Sequence, residues 1–171
     1  QTAGVNTLRP ALEIEGNIYK SITIKQETPL VPADSKELRP HRLAVGLYDI
    51  SGDVLTLRKS VELDVAGAST VVADLVGEKV ADLLLINDRD LSYAKLRFDD
   101  RSIATLKTDL GKLDDALARA LCWASIWDMH RDAEISSSDF IEIALNGLAG
   151  ETDDAIVNIV LAQLGTSVEA Y

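Results

Sequence analysis

The spacing of apolar residues changes once along this chain, close to residue 100, and that change limits the folds that it can adopt. Before residue 100, apolar and polar residues mostly alternate, which is the period of a half-buried β-strand. After it, apolar residues recur every three or four positions, most clearly in Leu113–Asp132, the longest helical pattern in the sequence. We therefore predict a β-sandwich domain over residues 1–100 and a helical segment over residues 101–171.

The first part of the chain divides into about seven short strands. After a lead-in over Gln1–Pro10, turn sequences at Gly16-Asn17 and Ser51-Gly52-Asp53 favour hairpins. Three prolines in Thr28–Pro40 predict a loop. Because no helical pattern interrupts the strands, an antiparallel sandwich is predicted rather than a parallel α/β sheet. The predicted strands are Ala11–Glu15, Ile18–Gln26, His41–Ile50, Val54–Ala66, Ser69–Leu75, Asp82–Asn87 and Tyr93–Phe98.

The second part of the chain predicts four helices joined by short links, as in antiparallel helix pairs at the start of a helical solenoid. The long helix is expected to bury a stripe formed by Leu113, Leu117, Leu121 and Ala124. The predicted helices are Ser102–Leu110 with Gly111 as its C-terminal cap, Leu113–Met129, Ser136–Leu148 with Ser136 as its N-terminal cap, and a last helix capped by Thr152.

Composition excludes several classes of protein. The chain has a net charge of −11, shared as −4 over residues 1–100 and −7 over residues 101–171, so a phosphate-binding nucleic-acid partner is not expected. No apolar run approaches the roughly 18 residues of a membrane helix. The single cysteine, Cys122, excludes an internal disulfide and fits a reducing, cytoplasmic compartment. Because the only methionine is Met129, the chain is expected to be a piece of a longer protein.

Residues that could carry chemistry are few. His41 and His130 are the two histidines, and His130 lies four residues before Glu134 without a third metal ligand nearby in the sequence. Cys122 follows the apolar pattern of a buried helical residue. The acidic turn Asn87–Asp90 lacks the ligand spacing of a calcium loop. We therefore predict no catalytic, cofactor-binding or metal-binding residue in this chain.

Three stretches resemble actinobacterial aminopeptidase N, a family of zinc metallopeptidases of the gluzincin class. They are QTAGVNTL (Gln1–Leu8), LRPHRLAVGLYD (Leu38–Asp49) and the run from Leu83 to Asp132, which includes LLLINDRDLSYAKLRFDDRSIATL and LARALCWASIWDMHRD. In that family the first stretch is similar to the end of the catalytic domain. The strands are similar to the β-sandwich that follows it, and the helices to the start of the large C-terminal helical domain.

The resemblance implies a parent enzyme that removes N-terminal amino acids from peptide substrates. The family's zinc-binding and substrate-gripping motifs are absent from this sequence, so no catalytic or zinc-binding residue is carried over and the chain alone is expected to be inactive. In the parent it would act as an inter-domain spacer, between the catalytic domain and the helical domain, and as part of the wall that encloses the active-site chamber. The alternative is a free-standing protein-interaction module. Self-association is also expected, through bare surface around Trp123, Trp127 and the last helix.

Overall fold

A computed structural model describes residues 4–29, 31 and 35–170. Seven strands come first, and four helices follow them, as the sequence predicts. The strands are β1 Thr7–Glu15, β2 Ile18–Glu27, β3 His41–Ser51, β4 Val54–Val65, β5 Ser69–Val71, β6 Leu83–Ile86 and β7 Lys95–Leu96. The helices are α1 Asp100–Asp109, α2 Ala116–Arg131, α3 Ser137–Leu148 and α4 Asp154–Ala170.

The strands form two sheets that pack as a sandwich. One sheet has the order β5-β2-β1-β7 and the other has the order β4-β3-β6. Both predicted hairpins are present, β1 with β2 and β3 with β4, in antiparallel register. The exception to antiparallel pairing is β7, which runs parallel to β1, with Thr7 opposite Lys95. The predicted β-sandwich followed by four helices is confirmed.

The two faces of β6 belong to two different hydrophobic cores. Leu84 and Ile86 pack between the two sheets, together with side chains of β1, β2 and β3. Leu83 and Leu85 point the other way and pack against the helices. This double burial explains the uninterrupted apolar run of β6, because a strand covered on both faces has no polar side to show. The three-stranded sheet is thus the shared wall between sandwich and helices.

Helix α2 differs from its prediction in both its start and its buried face. The helix begins at Ala116 and is capped by Asp115, whose carboxylate accepts from the Ala118 amide. Leu113 lies before it, in a bridge with Leu55. Leu117 is 47% exposed, so the predicted stripe is not the core face. The core face is formed instead by Ala118, Cys122, Trp123, Ile126 and Met129.

Smaller differences arise where local contacts decide the ends of elements. The lead-in is shorter than predicted, since β1 already begins at Thr7. Strand β5 stops at Val71 and a short 3₁₀ turn follows at Ala73–Leu75. Of the predicted strand Tyr93–Phe98, only Lys95–Leu96 pairs. Residues 1–3 of the lead-in and residues 30 and 32–34 of the predicted loop lie outside the described part of the chain.

Two of the predicted helix caps are replaced by neighbouring residues. Ser136 does cap α3, accepting from the Asp139 amide. The cap of α4 is Asp153 rather than Thr152, because the Asp153 carboxylate accepts from the amides of Ala155 and Ile156. Gly111 is not a C-terminal cap but lies in a 3₁₀ turn after α1. It is needed there because the backbones of Gly111 and Gly150 touch.

Candidate functional site: the junction of sandwich and helices

The best-defined polar arrangement in the described residues is an ion network that joins the sandwich to the end of α2. Its centre is Arg97, directly after β7, whose side chain is 1% exposed. The Arg97 Nε donates to Glu134 Oε1 at 2.6 Å, and its Nη2 donates to Asp132. Lys95 Nζ bonds both oxygens of Asp132, at 2.7 and 2.6 Å. Arg9 of β1 reaches the other oxygen of Glu134 at 2.8 Å.

The chain presents these two carboxylates through the turn that ends α2. Ala133, between them, has a φ of 59°, a left-handed conformation that is uncommon for residues other than glycine. The turn is fixed by two backbone bonds, from Ala133 to His130 and from Glu134 to Met129. Both acids therefore project from one rigid turn toward the cations of β1 and β7. We name the set Arg9, Lys95, Arg97, Asp132 and Glu134 the seam network.

The charges of the seam network change the titration of its acids. Burial by itself would raise the pKa of Asp132, but Lys95 and Arg97 outweigh it and hold that pKa below its usual value of 3.8. Burial would likewise raise the pKa of Glu134, but its hydrogen bonds with Arg9 and Arg97 outweigh burial and hold that pKa below its usual value of 4.5. Both acids are therefore ionised at neutral pH and attract the Arg97 guanidinium, which has little access to water.

We expect acid to weaken the junction. Because the folded pKa of both acids is depressed, their stabilising contribution is fully present above the unfolded values of 4.5 and 3.8 and is lost as the pH falls below these values toward the lower folded ones. Urea unfolding measured from pH 7 to pH 3 should show this loss. The double variant Asp132→Asn, Glu134→Gln should be less stable at pH 7 and should depend less on pH. If the free energy of unfolding falls with pH equally in the double variant and in the unchanged protein, the seam network does not cause the loss.

A second buried network ties α2 to the start of α4. The Glu151 side chain is fully buried and pairs with Arg119, whose Nε lies 3.1 Å from Glu151 Oε2. Trp123 Nε1 donates to the same oxygen at 3.0 Å. The other oxygen accepts from the backbone amides of Thr152 and Asp153. Burial would raise the pKa of Glu151, but these donors, with Arg119 first, lower it below its usual value. This Glu151 network holds the helices together as one body.

A third buried group lies behind the three-stranded sheet. Asp88 accepts hydrogen bonds from the Tyr48 hydroxyl and, at 3.0 Å, from the Ser60 hydroxyl. A Cβ at Gly46 would lie 2.6 Å from the Asp88 carboxyl carbon, so only glycine leaves room for it. Burial and the Asp88 hydrogen bond raise the pKa of Tyr48, which therefore keeps its proton as a donor. The arrangement is a polar anchor for the end of β6.

The residues considered for chemistry from the sequence have separate partners. His41 Nε2 lies 3.1 Å from Gln26 Oε1, and burial lowers its pKa. His130 stacks on Phe140 and bonds Ser167 at 3.0 Å. Cys122 is buried, and burial raises the pKa of its thiol. Glu134 belongs to the seam network. Within residues 4–29, 31 and 35–170, no group of three His, Cys, Asp or Glu side chains could hold a metal ion.

The sequence analysis did not single out Arg97, Arg119 or Glu151, and it considered Asp88 only as part of the acidic turn Asn87–Asp90. One signal was available, because Arg97 stands between Leu96 and Phe98, and a charge inside an apolar strand is typical of a buried ion pair. Its partners were not identifiable from the sequence. No helix in the described part of the chain is both long enough and apolar enough to cross a membrane.

Comparisons with known proteins agree with this architecture. Residues 83–171 match the family described as the ERAP1-like C-terminal domain, and the chain belongs to that family. The chain is also 44% identical over 176 aligned positions to aminopeptidase N of Streptomyces lividans, an alignment that covers all of this chain and 20% of the relative. The resemblance to actinobacterial aminopeptidase N is thus confirmed. The chain spans about one fifth of the length of this relative, and a free-standing interaction module is not favoured.

Proposed function

We propose that this chain is a non-catalytic part of a zinc aminopeptidase that removes N-terminal amino acids from peptides in the cytoplasm. The observation that carries the proposal is the identity of 44% along the whole chain to a protein named aminopeptidase N. In this proposal the zinc and the catalytic groups belong to the parts of the parent that this chain does not span.

The role that we propose for the chain in its parent is mechanical. The shared core on both faces of β6 and the seam network fix the sandwich and the helices relative to one another. A spacer of this kind would hold the helices at a constant distance from the catalytic domain. The helices would then form part of the wall of the active-site chamber and limit entry to short or unfolded peptides.

Hydrolysis of alanyl and leucyl p-nitroanilide tests the enzymatic part of the proposal. The purified chain should not hydrolyse either substrate, with or without added zinc. A longer polypeptide that includes the sequence upstream of Gln1 should hydrolyse them. Activity of the short chain would contradict the proposal, as would an inactive longer polypeptide that is folded and loaded with zinc.

Peptide-size selectivity tests the mechanical part of the proposal. In the longer polypeptide, Arg97→Met should loosen the junction, and the ratio of kcat/KM for a tetrapeptide to that for a twelve-residue peptide should decrease. Arg42→Met, at an ion pair exposed on the sandwich, is the matched control. An unchanged ratio in the Arg97 variant, together with unchanged stability, would contradict the role as spacer and wall.

We also propose that the isolated chain self-associates, through a surface that keeps the predicted last helix but has α3 in place of the two tryptophans. Trp123 is only 4% exposed and belongs to the core. The bare apolar surface lies on α3 and α4, where Leu145 is 66% exposed and Val168 is 70% exposed. Sedimentation velocity should show oligomers that grow with concentration. The double variant Leu145→Gln, Val168→Gln should reduce them, whereas Val76→Gln on the sandwich should not.

A further inference from the structure

A groove runs between α2 and the connection that leads from β6 to β7. It encloses a cavity of about 280 Å³. Its floor is apolar and is formed by Leu96, Leu121 and Ala124, and Tyr93 stands on its rim with 86% of its surface exposed. Leu117, one helical turn before Leu121 on the same face of α2, is also exposed. The remaining lining residues are Asn87, Asp90, Ser92, Ala94, Ser125 and Asp128.

Two carboxylates, those of Asp90 and Asp128, line this otherwise apolar groove. Within the described residues, neither of them forms an ion pair with a cation. Of the cations nearest to them in the sequence, Arg89 pairs with Glu62, Lys95 pairs with Asp132, and Arg131 lines a different cavity, beside Asp132. The groove therefore combines an apolar floor with uncompensated negative charge, and its charge complement is a cation on an aliphatic stem.

The stability of the fold does not explain these two acids. Asp128 lies in the last turn of α2, where the helix dipole disfavours negative charge. Asp90 has a φ of 52°, a conformation that asparagine adopts at least as readily. Exchanging either residue for asparagine should therefore leave the stability unchanged or raise it slightly. Asp90 accepts one long hydrogen bond, from Asn87 Nδ2 at 3.5 Å, so no strong contact within the described chain requires either charge.

The walls of the groove are fixed before any ligand binds. Asn87 clamps the connection by donating to the Ser92 carbonyl at 2.7 Å and accepting from the Ser92 amide at 3.1 Å. The Ser92 hydroxyl donates to the Arg42 carbonyl at 2.7 Å, which ties the connection to β3. On the other wall, the Ser125 hydroxyl is satisfied within α2 by the Leu121 carbonyl. Binding of a ligand would therefore cost little entropy for ordering the groove.

We propose that this groove binds an extended peptide segment by enclosing one arginine or lysine side chain. The aliphatic stem packs on Leu96, Leu121 and Ala124, and the cation lies between the carboxylates of Asp90 and Asp128. The Tyr93 ring covers the cation from the rim, as aromatic faces do for guanidinium groups. Leu117 contacts an apolar residue next to the cation. This proposal does not depend on the proposed aminopeptidase function.

Fluorescence anisotropy of the peptide fluorescein-Ala-Leu-Arg-Leu-Ala-amide, with the dye on its N-terminus, tests the proposal on the 171-residue chain. Saturable binding is expected in buffer of about 20 mM ionic strength, where screening is weak. Replacing the arginine by citrulline, which has the same shape without the charge, should weaken binding by about tenfold or more. The double variant Asp90→Asn, Asp128→Asn should weaken binding by a similar factor, while its melting temperature stays unchanged or rises slightly.

Two further variants separate the groove from general attraction to an acidic protein. Asp53→Asn, Asp154→Asn removes the same charge at exposed sites on a turn and on α4 and should change affinity less than about twofold. Ala124→Phe should block binding by filling the floor without altering charge. The proposal is overturned if no saturable binding occurs up to millimolar peptide. It is also overturned if citrulline binds equally, or if the Asp53, Asp154 pair weakens binding as much as the groove pair.

Discussion

Replacing Glu151 with alanine should lower the free energy of unfolding by roughly 3–5 kcal/mol, the range measured when one member of a buried ion pair is removed. The Glu151 side chain is fully buried and Arg119 is 9% exposed, so the guanidinium would lose its partner without gaining water. Trp123 Nε1 and the amides of Thr152 and Asp153 would lose their acceptor at the same time. The variant therefore leaves four donor groups without their present partner.

Urea unfolding followed by tryptophan fluorescence measures this effect directly, because Trp123 belongs to the network. Glu142→Ala on α3 is the matched control, since that carboxylate is about half exposed and its nearest cation, Lys107, lies 3.6 Å away. The control should change stability by less than about 1 kcal/mol. Glu151→Gln should fall between the two, because an amide oxygen accepts hydrogen bonds without carrying charge. Equal losses for the alanine variants of Glu151 and Glu142 would contradict the importance of the network.

Replacing Gly150 with alanine should lower the free energy of unfolding by about 2–3 kcal/mol or more, the cost of forcing an extra methyl group into a packed site. A Cβ at this position would lie 2.3 Å from the Gly111 carbonyl oxygen and 2.7 Å from its carbonyl carbon. Both atoms belong to the backbone, so they cannot rotate away as the end of a side chain could. The turn after α1 and the end of α3 would have to separate.

Gly165→Ala provides the opposite expectation in the same chain. Gly165 lies inside α4, and a Cβ there would meet nothing within 4 Å. Alanine in a helix interior is more favourable than glycine by about 0.5–1 kcal/mol, so this variant should be more stable than the starting protein. Thermal unfolding of both variants should move the melting temperature in opposite directions. A Gly150 variant as stable as the starting protein would mean that the two backbones do not touch.

Local sequence patterns sufficed for the hairpins, because their determinants are close together in the chain. Gly16-Asn17 occupies the turn between β1 and β2, and Gly16 has the positive φ of 63° that this turn requires. Gly52, also with a φ of 63°, does the same between β3 and β4. Once the turn sets the register, burial alternates along much of β2, whereas β3 is buried on both faces over Leu43–Tyr48. The cap at Ser136 was predictable for the same reason.

The face of α2 could not be predicted from its own residues. The helix carries apolar side chains around most of its circumference, so several stripes fit the helical period. Leu117 of the predicted stripe remains exposed, whereas the core face also buries Arg119 and His130. From the sequence alone, Arg119 and His130 make this face look too polar for a core, because their partners are not evident. Glu151, in the link before α4, and Ser167, on α4, are those partners, and nothing in the sequence around α2 indicates this.

The seam network could not be predicted from the sequence either, because its members lie far apart in the chain. Asp132 and Glu134 fit the polar end of a helix, and Lys95 and Arg97 fit a strand with an irregular pattern. Only the parallel pairing of β7 with β1 brings the three cations to one edge. That pairing has no local signal, because β7 is two residues long and its partner is the first strand of the chain. Tertiary structure therefore creates this network.

The pairing of β1 with β7 also has a consequence for the order of folding. Thr7 pairs with Lys95, so one edge of the first sheet stays open until nearly the whole sandwich sequence has been synthesised. The β1–β2 hairpin can form early, since its contacts are local. Pairing of β7 with β1 comes later, because it closes a long loop and this costs chain entropy. Since β6 and β7 also contact the helices, the sandwich should mature late and together with them. During synthesis on a ribosome, the β1 edge of the β1–β2 hairpin would remain unpaired until β7 is made. An unpaired edge can pair with other chains, so this hairpin is the segment most in need of protection from aggregation.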